Sequence, residues 1–337
     1  MDLIDDACES GNESALLQLC ADQKMPYLGM FLSTAFTRQR LGMPEATEFK
    51  NYYDQFINTI VSLPAEPVKR ETTLKLLCDW MSTSELTKLW SKMKPSNCKL
   101  ELITDGEPDY WIIINGTTST EYVTARTIVF HMEPSPLEID TTGFLRVFDH
   151  DTDYNNVEWH LSKTWSELYD FHPDKTKVLS TVLSSKFADP GHIKRIKFVK
   201  ELEKEIGIDV YGSNVFKYKQ YKGSLPYHKK DSSVFPYKYH FNAENHSKNN
   251  YATEKIIDAI MGECLCFYWG CPNLGEFIDY RAFLILDLDD IPGSIEEIRV
   301  AIANDEWGKR IQYIRAAKKK ILDQMTMFDR VSKLLLV

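Results

Sequence analysis

Two cations stand where a helix disfavours positive charge. Lys255 follows Thr253 and Glu254 at the start of a helical run, where the positive end of the helix dipole repels a cation. An anion such as a diphosphate, held by the free backbone N–H groups and the ammonium together, would offset that repulsion. On position alone, a solvated surface lysine is the competing reading. A second helical run, read as beginning near Ile193, carries Lys194, Arg195 and Lys197 in its first turn. Arg195 suits phosphate best, because its planar fork donates two parallel hydrogen bonds. The alternative is an amphipathic helix with Ile196, Val199, Leu202 and Ile206 inward and a wet basic face.

Carboxylates supply the complementary chemistry. Glu254 can accept the two vicinal hydroxyls of a nucleotide ribose, or serve as an ordinary first-turn acid. Glu244, Asn245 and Tyr251 crowd the same stretch, between a strand-like run and the helix. In an open α/β sheet that is where ligands bind, beyond the carboxyl ends of the strands. Glu133 follows another strand-like run, 127–131, in the proline-stiffened loop Met132-Glu133-Pro134-Ser135-Pro136. Facing the first group across a cleft, it can take a proton from an acceptor hydroxyl as general base. Otherwise it is a plain loop glutamate.

The elements that must position these residues alternate. Strand-like runs at 100–103, 110–115, 127–131 and 144–148 form one block. A second block alternates strand and helix: strands at 177–184, 208–211, 237–242, 264–269 and 283–288, with helices at 193–206, 253–261 and 294–303. Such alternation implies parallel sheets covered by helices, hence two Rossmann-like units. The expected organisation is a helical N-terminal subdomain over 1–94, including a helical reading of 73–81, then a Rossmann-like acceptor unit over 95–187. A donor unit over 188–306 and a C-terminal helical segment over 307–337 complete it, with Asp189, Pro190 and Gly191 marking the boundary between the two units.

A chain of 337 residues with 43% hydrophobic and 26% charged residues has material for two globular cores. The net charge of −9 provides no basic field for nucleic acid. The sequence shows no run of about 18 apolar residues and no signal-peptide pattern, so the expected location is cytoplasmic. Seven scattered cysteines suggest reduced thiols, and Cys264, Cys266 and Cys271 lack the second ligand pair of a zinc site. Asp149, Asp151 and Asp153 resemble a calcium loop, but Tyr154 stands where glycine is required and His160 where glutamate is. Asp287 and Asp289 mimic a DxD metal motif, a minor possibility after an apolar strand.

Ala243-Glu244-Asn245-His246 followed by Tyr251-Ala252-Thr253-Glu254-Lys255 resembles the FENS…YVTEK signature of the α1,3-fucosyltransferases of glycosyltransferase family 10. Arg195, Phe198, Val199 and Leu202, leading to Asp209-Val210-Tyr211-Gly212, are similar to that family's R..F...L....VD.YG pattern. The resemblance spans roughly 126–290 and implies the GT-B fold, two Rossmann-like domains facing across a cleft. It implies an inverting transfer of fucose from GDP-fucose to a glycan hydroxyl, without a required metal. Arg195 and Lys255 would contact the diphosphate, Glu254 the ribose, and Glu244, Asn245, Tyr251, Tyr211 and Gly212 would belong to the donor site. Glu133 would be the base. Ala243, His246 and Met132 depart from the pattern and bear on sugar specificity. The resemblance points to a soluble bacterial or viral member working in a cytosol, with a nucleotide sugar and a glycan acceptor as partners. The alternatives are another donor, GDP-mannose or a UDP-sugar, and an inactive glycan-binding or scaffold protein.

Overall fold

The computed structural model describes residues 71–135, 137–151 and 157–336. Residues 1–70 of the expected helical subdomain, Pro136 of the glutamate loop, and Asp153 and Tyr154 of the calcium-like segment lie outside them. The described chain builds two parallel sheets. The first has five strands, β1 (Thr72–Leu77), β2 (Leu100–Leu102), β3 (Tyr110–Ile114), β4 (Thr127–Phe130) and β5 (Arg146–Phe148), in the order β2-β1-β3-β4-β5. Every pair in it is parallel. Strands such as β3 and β4 read as continuous apolar runs because both faces of a parallel sheet are covered.

The second sheet contains β6 (Lys177–Leu183), β7 (Asp209–Gly212), β8 (Tyr221–Gly223), β9 (Tyr237–Ala243), β10 (Leu265–Trp269) and β11 (Phe283–Ile285), ordered β11-β10-β9-β6-β7-β8. Its first strand in the chain thus lies beside its fourth, Leu179 opposite Tyr239. This is the dinucleotide-binding strand order, and its switch point falls between β6 and β9. The helices are α1 (Thr83–Ser91), α2 (Trp165–Tyr169), α3 (Pro190–Glu205), α4 (Asp231–Val234), α5 (Glu254–Met261), α6 (Ile291–Ala303), α7 (Glu306–Gln324) and α8 (Met327–Leu335).

Three local readings change. Residues 72–77 form a strand where apolar spacing suggests helix; Leu74, Leu76 and Leu77 are buried because β1 is an interior strand with neighbours on both edges. Residues 177–183, expected on the first side of the boundary, form a central strand of the second sheet. The Asp-Pro-Gly break is the beginning of α3 rather than a linker, with Asp189 at the N-cap and Pro190 in the first helical position, where its missing N–H costs nothing. Consequently Lys194, Arg195 and Lys197 stand beyond the first turn, and the dipole argument applies to Lys255 alone.

The C-terminal segment divides at Thr326, which caps α8 reciprocally with Asp329. Helix α7 packs on α5 and β10 of the second sheet. Helix α8 returns to the first, with the Arg330 guanidinium 5.7 Å from the centre of the Phe148 ring on β5.

Candidate functional site

The loops after β6 and β9 diverge at the switch point and open a pocket of about 410 Å³ lined by Leu183, Ser184, Arg195, Asn242, Asn245 and Lys255, among others. Helix α3 can reach this point because Gly191 lets it. A Cβ there would lie 1.9 Å from the Glu244 carbonyl oxygen and 2.7 Å from that of Asn245, which instead accepts a 2.8 Å bond from the Gly191 N–H. Arg195, one turn on, is only 6% exposed. Its Nη1 donates to the Ala243 carbonyl at 3.1 Å and Asn245 Oδ1 at 3.2 Å, and its Nη2 to Ser184 Oγ at 3.2 Å. All three acceptors are neutral, and among the described residues no carboxylate pairs with the guanidinium and Nε has no partner. Burial lowers the arginine's pKa, the mark of a charge taken from water with incomplete compensation.

Lys255 is the second residue of α5, whose N-cap Thr253 is in extended conformation. Beneath the helix start lies Glu244, fully buried. It accepts from the Thr253 N–H at 2.8 Å, the Thr253 hydroxyl at 2.7 Å and the Lys255 ammonium at 3.0 Å. Part of the anion that Lys255 requires is therefore supplied by the protein. Burial works against the ammonium, but Glu244 and Glu254 outweigh it and raise the lysine's pKa. Burial likewise opposes the Glu254 carboxylate, yet Lys255 and Lys230 hold it well below the usual range. Lys230 stands 3.2 Å from Glu254 and 3.0 Å from Asp258.

A second lobe of about 460 Å³ shares His160, Lys186, Tyr227, Asn245, Glu254 and Lys255 with the first and extends to the ends of β1, β3 and β4. Glu133 lines it. Asn115, at the end of β3 with φ +58°, accepts the Met132 N–H on Oδ1 at 2.6 Å and so holds the loop that carries Glu133. Desolvation raises the Glu133 pKa, while Lys255 and Lys186 draw it down. Tyr251 borders the same lobe, its ring edge-on to His150 at 5.0 Å.

Of the residues singled out in the sequence, Glu133, Arg195, Asn245, Tyr251, Glu254 and Lys255 line this two-lobed cleft. Glu244 sits behind it as the clamp on α5. Tyr211 and Gly212 do not line it: the Tyr211 hydroxyl is 3.0 Å from that of Tyr237, and Gly212, at φ +96°, lets β7 pass close to the Leu183 carbonyl. Sequence reasoning missed Lys186, Lys230, His160 and Asp258. Asp258 was accessible as the residue one turn after Glu254 on the same helix face; Lys230 and His160 belong to no recognisable pattern. Asp289 of the DxD-like stretch pairs with Lys194, and Asp290 caps α6. Among the described residues, no three His, Cys, Asp or Glu side chains converge as a metal-ion cage, and no helix is long and apolar enough to cross a membrane.

Residues 172–292 match the family model described as glycosyltransferase family 10 (fucosyltransferase), C-terminal part. No curated protein sequence matches the chain. Among solved structures, an α1,3-fucosyltransferase is similar at 16% identity over 79% of this chain and 95% of that one, with a TM-score of 0.49. The same enzyme type with GDP-fucose gives 16%, 79%, 94% and 0.48. A structure described as TarM gives 11% identity over 67% of this chain and 54% of its own, with a TM-score of 0.40.

Proposed function

We propose that this chain, whose residues 172–292 match the family 10 glycosyltransferase model, is an inverting, metal-independent fucosyltransferase that uses GDP-fucose and a glycan hydroxyl. One observation carries the donor reading: a buried guanidinium, Arg195, bonded only to neutral oxygens, faces the switch point beside Lys255. A diphosphate brings the missing negative charge, and charge-assisted bonds to it are the strong kind. Glu254 receives the ribose hydroxyls, while Asn245 and Tyr251 border the donor.

Glu133 takes the proton of the acceptor hydroxyl as that oxygen forms its bond to the anomeric carbon. On the opposite face, the bond from that carbon to the β-phosphate oxygen breaks. The electron pair leaves with the nucleoside diphosphate, whose growing charge Arg195 and Lys255 stabilise from fixed positions. No divalent ion is needed in this scheme because two cations and a helix N-terminus occupy its place.

Calorimetric titration with GDP, GDP-fucose, GDP-mannose and UDP-sugars tests the reading. GDP and GDP-fucose are expected to bind in the presence of a chelator, and Arg195→Ala to weaken both at least tenfold. Binding of UDP-sugars in preference would reassign the donor; binding of no nucleotide would remove the enzyme reading.

A further inference from the structure

The donor pocket leaves the other lobe of the cleft unassigned, and its walls differ. Trp80, in the turn between β1 and α1, lines this lobe while 47% exposed; Tyr227, between β8 and α4, lines it while 69% exposed. Large aromatic surface left in water at a cleft mouth marks a place where something binds. Next to Tyr227, His228 is 8% exposed, has φ +52°, and lies edge-on to Tyr227 at 4.2 Å and tilted against His160 at 3.8 Å, centre to centre. Among the described residues its Nδ1 is buried without a partner, so the Nε2 edge is the polar group this ring can offer to the cleft. Burial, reinforced by His160 and Lys92, pushes its pKa down to about 2, so the ring is a neutral hydrogen-bonding group. The acids here are Glu133, Glu158 and the shared Glu254, and the lysines are the two shared with the donor pocket, Lys186 and Lys255.

We infer that Trp80, Tyr227 and His228 form the acceptor subsite, and that it takes an uncharged pyranoside whose apolar C–H face packs on Trp80 and Tyr227 while His228 fixes a hydroxyl. The inference rests on the glycosyltransferase reading and adds the acceptor's chemical class to it. Aromatic rings match the C–H face of a sugar, and the neutral imidazole orients a hydroxyl without demanding a counter-charge. A sugar carboxylate would meet Glu133 and Glu158, and unpaired like charges in a cleft are a strong means of rejection. The donor's own charge occupies the two shared lysines.

Saturation-transfer NMR on the full chain with GDP present compares methyl β-glucopyranoside with methyl β-glucuronide, which differ by a carboxylate at C6. The glucopyranoside is expected to show saturation strongest at its H1, H3 and H5 protons, and the glucuronide at least tenfold less. Trp80→Ala and Tyr227→Ala, both at exposed positions, are expected to abolish the glucopyranoside signal, with Trp80→Phe restoring part of it. His228→Ala is expected to weaken binding at least threefold. GDP affinity by calorimetry is expected to stay within twofold in Trp80→Ala. Unchanged glycoside signals in both aromatic variants would overturn the subsite, as would equal binding of the glucuronide. A tenfold loss of GDP affinity in Trp80→Ala would place the base, not a sugar, on that ring and overturn it equally. Failure of the wild-type chain to bind any nucleotide would instead remove the enzyme reading on which the subsite rests, an outcome distinct from loss of the glycoside signal in a chain that binds GDP.

Discussion

Glu133 must be ionised to accept a proton, and desolvation raises its pKa. Activity is therefore expected to fall as pH drops through a value above the ordinary glutamate range, and a kcat/KM profile against pH locates that limb. Glu133→Gln should remove the limb and lower kcat by about 10²- to 10⁴-fold, the usual worth of a positioned base, with donor binding retained. Arg195→Lys keeps the charge but loses the fork that reaches Ala243, Asn245 and Ser184, so it should resemble Arg195→Ala in GDP affinity rather than wild type. Glu244 tests a different property. Glu244→Ala leaves the Thr253 N–H without its acceptor and the Lys255 ammonium with only Glu254 and the Thr253 hydroxyl, and breaking a buried pair by removing one partner costs up to about 3–5 kcal/mol. A lower denaturation midpoint is expected, with a smaller drop for Glu244→Gln, which keeps an acceptor oxygen.

At the scale of elements, Gly191 is the residue on which the donor pocket's geometry turns. Gly191→Ala drives a methyl into the Glu244 and Asn245 carbonyls, which are backbone and cannot rotate away. The start of α3 should move off the signature loop, carrying Arg195 with it, and weaken GDP binding severalfold or more by calorimetry. How far such relations can be read from sequence depends on whether they are local. The first-turn position of Lys255 was legible because a capping threonine and an apolar helical face sit beside it in the chain. The start of α3 is not legible, because Asp-Pro-Gly signals a break and a helix beginning equally well. Residues 72–77 misled for another reason: a strand buried on both faces has no alternation, and its leucines fit a helical period by coincidence. The clamp by Glu244 was the least legible, since nothing in a linear signature distinguishes a carboxylate under a helix from one beside a ligand.

Across the whole molecule, the C-terminal helices span both sheets. Helix α7 lies on the second and α8 on the first, and Met327, Phe328 and Val331 bury α8. Phe328→Ala is expected to cost about 3–5 kcal/mol, visible in thermal denaturation of the full chain. If α8 were only an appendage, the midpoint would not shift.

The strand order of the second sheet has a reach beyond nucleotide binding. Because a parallel sheet delivers all the loops that follow its strands at one end, the proposed donor residues gather at the seam between β6 and β9, whereas Trp80 and Glu133 arise from the other sheet. Recipient choice can drift, or be grafted from another scaffold, through substitutions around residues 78–93 that never touch the seam.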